Sequence, residues 1–97
     1  MRLLDKEKKA LDKALAGVKG DAYLYGSRTD ARGKGGDIDI LLFSDSDSPY
    51  RLSQDITVRF QMECDEKIDV TVVDPDHVPE SQRAFVNKIQ KEAVALS

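Results

Sequence analysis

The segment DIDILLF, at residues 37–43, constrains the fold more than any other part of the chain. It is short and rich in isoleucine and leucine, which is typical of a β-strand in a protein core. Side chains two residues apart on a strand share a face, so Asp37 and Asp39 lie on one face while Ile38 and Ile40 lie on the other. The fold must therefore bury one face of this strand and accommodate two carboxylates on the other.

Helices and strands alternate along the rest of the chain. Apolar residues recur at helical spacing in three segments, and β-branched or aromatic residues fill two further short ones. The predicted order is helix 5–17, strand 21–26, strand 37–43, helix 49–64, strand 67–74 and helix 80–96, with a short additional helix after Gly26. These elements predict an α+β fold with a small mixed sheet of about three strands flanked by helices. We expect two packed layers in one domain, residues 1–97.

Helical spacing also predicts which side chains face the core. In chain order, the three helical segments are expected to bury Leu4, Leu11, Leu15 and Val18, then Leu52, Ile56 and Phe60, then Phe85, Ile89 and Ala93. Tyr23 and Tyr25 give strand 21–26 an aromatic face, which core packing and base stacking explain equally well.

Composition limits the classes of function. The chain has 97 residues and a net charge of −3, which argues against broad electrostatic binding of nucleic acid, so any phosphate site must be local. Cys64 is the only cysteine, so no internal disulfide can form, and we expect it to be a small buried apolar group in a reducing compartment. No apolar run approaches the ~20 residues that cross a bilayer. These features predict a cytoplasmic protein without membrane or direct nucleic-acid partners.

A third carboxylate repeats the pattern of strand 37–43. Asp69 lies between Ile68 and Val70 in strand 67–74. If this strand neighbours strand 37–43, the three aspartates converge. Because like charges raise each other's cost of ionisation, a bound divalent cation would relieve them, and carboxylate oxygens suit Mg²⁺. The spacing alone leaves a plainer alternative open, in which Asp37 starts a strand or turn and the other two aspartates face solvent.

The Gly26-Ser27 dipeptide follows strand 21–26 and precedes a turn. Glycine lets the backbone approach a ligand closely, and a serine hydroxyl with backbone N–H groups could hold a phosphate at a helix start. Arg28, and Arg32 or Lys34 further along, would add positive charge. A simple turn explains the same residues, and the chain contains no P-loop pattern.

In combination, these motifs resemble the nucleotidyltransferase superfamily with the DNA-polymerase-β-like fold. The resemblance rests on Gly26-Ser27 after a strand, Asp37-Ile38-Asp39, and the later Ile68-Asp69-Val70. The segments YGSR and GGDIDILL are similar to the minimal nucleotidyltransferases, short single-domain members often paired with HEPN-domain proteins. The resemblance extends from about Ala22 to the last helix and implies a polymerase-β-like fold.

The resemblance also implies roles for individual residues. It assigns Asp37, Asp39 and Asp69 to catalysis and metal binding, and Gly26, Ser27 and Arg28 to the nucleotide. In that family the glycine-serine motif grips the β- and γ-phosphates, and the paired aspartates hold two Mg²⁺ ions. The third carboxylate binds one ion and accepts the proton of the attacking hydroxyl.

The implied reaction is transfer of AMP from ATP to a hydroxyl group, with pyrophosphate leaving. Residues 75–97 leave room for only one helix, so the acceptor must be small or come from a partner or a second copy of the chain. A HEPN toxin is the expected partner and acceptor, which would make this chain an antitoxin. Two alternatives remain: a non-catalytic antitoxin that blocks a HEPN ribonuclease by binding, and an oligomeric nucleotidyltransferase for small molecules, similar to those that modify aminoglycosides.

Overall fold

A central strand with a neighbour on each side organises the structure. We describe residues 4–26 and 38–96 from a computed structural model of the chain. The elements are α1 (Asp5–Leu15), β1 (Asp21–Tyr25), β2 (Ile38–Phe43), α2 (Pro49–Glu63), β3 (Ile68–Val73), α3 (Glu80–Glu92) and β4 (Val94–Ala95). The predicted α+β class is confirmed, and within the described ranges the mixed sheet has four strands instead of about three.

The strand order across the sheet is β3-β2-β1-β4. β1 pairs antiparallel with both β2 and β4, whereas β2 and β3 are parallel. A parallel pair needs a long crossover connection, and α2 provides it between β2 and β3. The segment with the strongest strand signal therefore becomes an inner strand, paired along its whole length with β3.

Both faces of β2 are covered. Ile38 and Ile40 are 0% exposed and pack on the side of α1 and α2, as the alternating pattern predicted. Leu41 is also fully buried, but it packs on the opposite side with Val86 and Ile89 of α3. The sheet is thus enclosed between helices in three layers. The expected two-layer arrangement is wrong, because α3 returns to the face opposite α1 and α2.

Helix α2 begins and packs as its sequence predicts. Pro49 occupies the first helical position, where its fixed φ favours a helix start and its missing N–H costs nothing. Ile56 and Phe60 are 0% exposed, and Cys64, directly after the helix, is buried as expected. At 11, 15 and 13 residues, none of the helices in the described ranges is long and apolar enough to cross a membrane.

Two predicted core positions are wrong. Leu4 precedes α1 as its N-cap and is 60% exposed, while its backbone N–H donates to the Glu7 carboxylate at 2.9 Å. Phe85 is 38% exposed, and its neighbour Val86 is buried instead. Phe85 lies against the end of β1, where its ring makes an edge contact with Tyr25 at a centroid distance of 5.7 Å.

The last helix ends earlier than residue 96. α3 stops at Glu92, Ala93 is extended, and β4 follows immediately. The Leu96 N–H donates to the Ala22 carbonyl at 2.9 Å, continuing the pairing of β4 with β1. Hydrogen bonds to β1 therefore replace the last helical turn, a tertiary effect that local helical spacing does not reveal.

Candidate functional site

Three polar side chains lie in one row across the sheet. Asp39 of β2 is in register with Asp69 of β3, and Tyr25 of β1 is in register with Asp39. Residues in register on paired strands share a face, and neighbouring strands are ~4.8 Å apart. The two aspartates therefore lie side by side on the α3 side of the sheet. Asp39 is half-buried and Asp69 is exposed.

Apolar flanking residues fix this register. Ile38 and Ile40 are buried on the α1 and α2 side, and Val70 packs in the same cluster. A slip of one residue in either strand would drive its carboxylate into that apolar core, at a large desolvation cost. The core thus holds the carboxylate pair in place.

Gly26, directly after β1, lies against the Asp39 carboxylate. Its φ is +79°, a left-handed conformation that L side chains rarely adopt. A Cβ built on Gly26 would also overlap the Asp39 Oδ2 atom. Backbone conformation and the close approach of Asp39 therefore each favour glycine at this position.

Tyr25 lies beside the candidate site, and the sequence did not single it out. Burial, as the main cause, raises the pKa of its phenol; a hydrogen bond with Thr71 opposes this, and the Asp39 and Asp69 charges add to it. The phenol is therefore close enough to sense both carboxylates. The alternation of tyrosines predicted only an aromatic face, because a single strand does not reveal which cross-strand partners it will meet.

Alkaline pH should reveal the raised pKa of Tyr25. Because the folded-state pKa of Tyr25 lies above the ordinary value of 10.0, its stabilising contribution is complete below pH 10 and is lost as pH rises through the folded pKa. We expect the free energy of unfolding, measured by urea titration in EDTA, to fall more steeply above pH 10 in wild type than in Tyr25→Phe. Identical pH profiles would show that the pKa of the Tyr25 phenol is not raised in the folded chain.

The structure brings together only part of the predicted site. Gly26, Asp39 and Asp69 converge around one point at the end of the sheet where β2 begins. The remaining predicted residues lie outside the described ranges: Ser27, Arg28, Arg32, Lys34 and Asp37, together with the short helix expected after Gly26.

The carboxylate pair fits part of a magnesium site. Within residues 4–26 and 38–96, no group of three or more histidine, cysteine, aspartate or glutamate side chains could hold a metal ion. Asp39 and Asp69 supply two carboxylates with hard oxygen donors, the kind that Mg²⁺ uses with one or two protein carboxylates and substrate phosphates. The third predicted ligand, Asp37, lies outside those ranges.

Comparisons with known proteins assign no family to this arrangement. No protein-family model matches the chain, and a search of curated proteins finds no matching relative. The functional argument therefore depends on the residues and their geometry.

Proposed function

We propose that the chain is a metal-dependent nucleotidyltransferase with a polymerase-β-like fold. It transfers AMP from ATP to a hydroxyl group, with Asp37, Asp39 and Asp69 as its metal-binding carboxylates. The main support is the in-register pairing of Asp39 with Asp69, which sets two carboxylates on one face at the end of the sheet next to Gly26. Like charges in directly opposed positions destabilise a strand pair, so the pairing of Asp39 with Asp69 is unfavourable unless a cation lies between them.

Each described residue has a distinct task in this proposal. Gly26, which has no side chain, allows the nucleotide phosphates to approach the backbone, and its contact orients Asp39. Asp69 is exposed beside Asp39, where an incoming hydroxyl can reach it and pass its proton to the carboxylate. Two Mg²⁺ ions, when bound, would lower the pKa of that hydroxyl and neutralise the charge of the departing pyrophosphate.

The acceptor in this proposal is a hydroxyl on a HEPN toxin, and its modification makes the chain an antitoxin. The exposed position of Asp69 supports a macromolecular acceptor, because that carboxylate is open to solvent instead of lying in a closed pocket. Ser27 and Arg28 would complete the phosphate contacts that begin at Gly26.

Mass spectrometry tests the proposal directly. The chain is incubated with its proposed HEPN partner, ATP and Mg²⁺, and the HEPN protein is then weighed. We expect one or more AMP adducts, which EDTA prevents. An unmodified HEPN protein under these conditions, with the complex intact, would contradict the catalytic proposal and favour inhibition by binding alone.

A further inference from the structure

The two margins of the sheet differ. β1 is flanked by β4, which pairs with it at Tyr23 and Leu24. β3 lies at the other margin, and no strand in the described part of the chain pairs with its outer side. β3 is six residues long, Ile68–Val73, which is long enough to accept another strand.

The backbone groups that face outward can be identified. The Ile38 N–H donates to the Lys67 carbonyl at 3.0 Å, and the Ser44 N–H donates to the Val73 carbonyl at 2.9 Å. In a parallel ladder, alternate residues of a strand face a given neighbour. The odd-numbered residues of β3 thus face β2, and the outward-facing residues are Ile68, Val70 and Val72.

One outward carbonyl already has an intramolecular partner. The Ser53 hydroxyl of α2 donates to the Val70 carbonyl at 2.7 Å. This contact agrees with the outward direction of that carbonyl. A carbonyl oxygen has two lone pairs, so the Val70 carbonyl can still accept a bond from an added strand.

The surroundings of this edge are acidic. Residues 65–76 contain five carboxylates, Asp65, Glu66, Asp69, Asp74 and Asp76, and one lysine. Antiparallel pairing with a second copy, centred on Val70 for the fullest overlap, would place Glu66 opposite Asp74 of the other copy at both ends. Like charges in directly opposed positions destabilise a strand pair. The edge therefore disfavours self-association and favours a basic strand.

We propose that the outer edge of β3 binds an extended, net-basic segment of another protein as an added antiparallel strand. Backbone hydrogen bonds to Ile68, Val70 and Val72 would hold it, and the flanking carboxylates would select its charge. The residue directly across from Asp69 shares its face, with Cβ atoms ~5 Å apart. A serine, threonine or tyrosine there would present its hydroxyl in line with Asp69 and Asp39. This last step rests on the proposed transferase function; docking at the edge does not.

A defined peptide tests docking without any nucleotide or metal. The probe is a nine-residue peptide of alternating valine and threonine with lysines at both ends, acetylated and amidated. In EDTA, we expect it to shift the backbone amide signals of Ile68, Val70 and Val72 and to slow their hydrogen exchange. The same peptide with glutamates at its ends should bind at least about tenfold more weakly.

Two changes remove the backbone contacts independently. Val72→Pro removes one outward N–H, and proline is tolerated on the open side of an edge strand; we expect it to abolish the shifts while the thermal unfolding transition persists. N-methylation of alternate peptide residues should abolish the amide shifts with the wild-type chain, which keeps the test valid if the proline variant unfolds.

The charge of the edge is tested separately. Asp65→Asn should weaken peptide binding, whereas Asp47→Asn, which changes an exposed aspartate in the loop before α2, should not.

Three results would overturn the proposal: no response of the three amides, equal affinity for the glutamate-ended peptide, or undiminished binding of the N-methylated peptide. Peptide binding without AMP transfer to its threonines in ATP and Mg²⁺ would leave the docking edge standing and count only against the transferase step.

Discussion

Asp39→Asn should abolish the Mg²⁺-dependent rise in melting temperature that ATP produces and reduce AMP transfer at least about 1000-fold. Asp39 is the inner member of the carboxylate pair, fixed by its strand and by contact with Gly26. A metal contributes several kcal/mol to such a transfer, and each ~1.4 kcal/mol is a factor of ten in rate. Asparagine keeps the size of the side chain but removes the charge. Thermal shift with and without Mg²⁺, followed by adduct measurement, gives both readouts.

Asp47→Asn is the matched control, because it makes the same chemical change at an exposed position in the loop between β2 and α2 and should leave both readouts unchanged. A full Mg²⁺-dependent shift in Asp39→Asn would rule out the site. Toxin neutralisation by the Asp39→Asn variant distinguishes catalysis from blocking. If Asp39→Asn still binds the HEPN protein but no longer neutralises it, neutralisation is catalytic. If neutralisation is unchanged, the chain acts by blocking its partner.

Gly26→Ala should reduce AMP transfer at least about tenfold and weaken the Mg²⁺-dependent rise in melting temperature, although alanine adds only a methyl group. The methyl would overlap Oδ2 of Asp39, so the carboxylate or the backbone must move. A shift of about 1 Å in a catalytic group can cost on the order of 100-fold in rate. The left-handed backbone at φ +79° adds a stability cost of about 1–2 kcal/mol. Thermal shift with ATP and urea unfolding separate the two effects.

Gly17→Ala provides the backbone control. Gly17 has nearly the same dihedral, φ +78°, but no atom lies within 4 Å of a Cβ added there. We expect it to lose a similar free energy of unfolding through backbone strain and to keep the full Mg²⁺-dependent response. If the two variants respond equally to ATP and Mg²⁺, the contact between Gly26 and Asp39 has no part in the site.

The strands and helices with strong local signals were predictable. Ile38–Phe43 and Ile68–Val73 are short apolar segments, and α2 has its buried residues four apart with proline at its start. In each, the local pattern and the tertiary environment agree, because the residues with the strongest propensity are also those that the core buries.

The fold prediction is wrong where long-range contacts override the local sequence pattern. The apolar spacing after Ile89 continues as in a helix, yet pairing with β1 produces β4 at Val94–Ala95. Val86 replaces Phe85 in the core because the side of the sheet on which α3 packs sets the rotation of that helix. Helical spacing specifies an apolar stripe, but not the surface that receives it.

The sequence singled out Asp39 and Asp69 of the candidate site, but not their arrangement. Asp39 and Asp69 stand out as carboxylates in apolar strands, while their pairing depends on strand order and register between residues 30 positions apart. Tyr25 gave no comparable signal, since a tyrosine in a strand is ordinary core material. Its place beside the carboxylates follows only from the antiparallel pairing of β1 with β2.

The location of Asp39 in the inner strand β2 has a consequence for heat inactivation. β2 is paired on both sides and covered on both faces, so its opening requires rupture of the whole domain. Asp39 should therefore keep its place in the sheet until global melting. Loss of hydrogen-exchange protection at the Asp39 amide and loss of circular dichroism should then coincide in temperature.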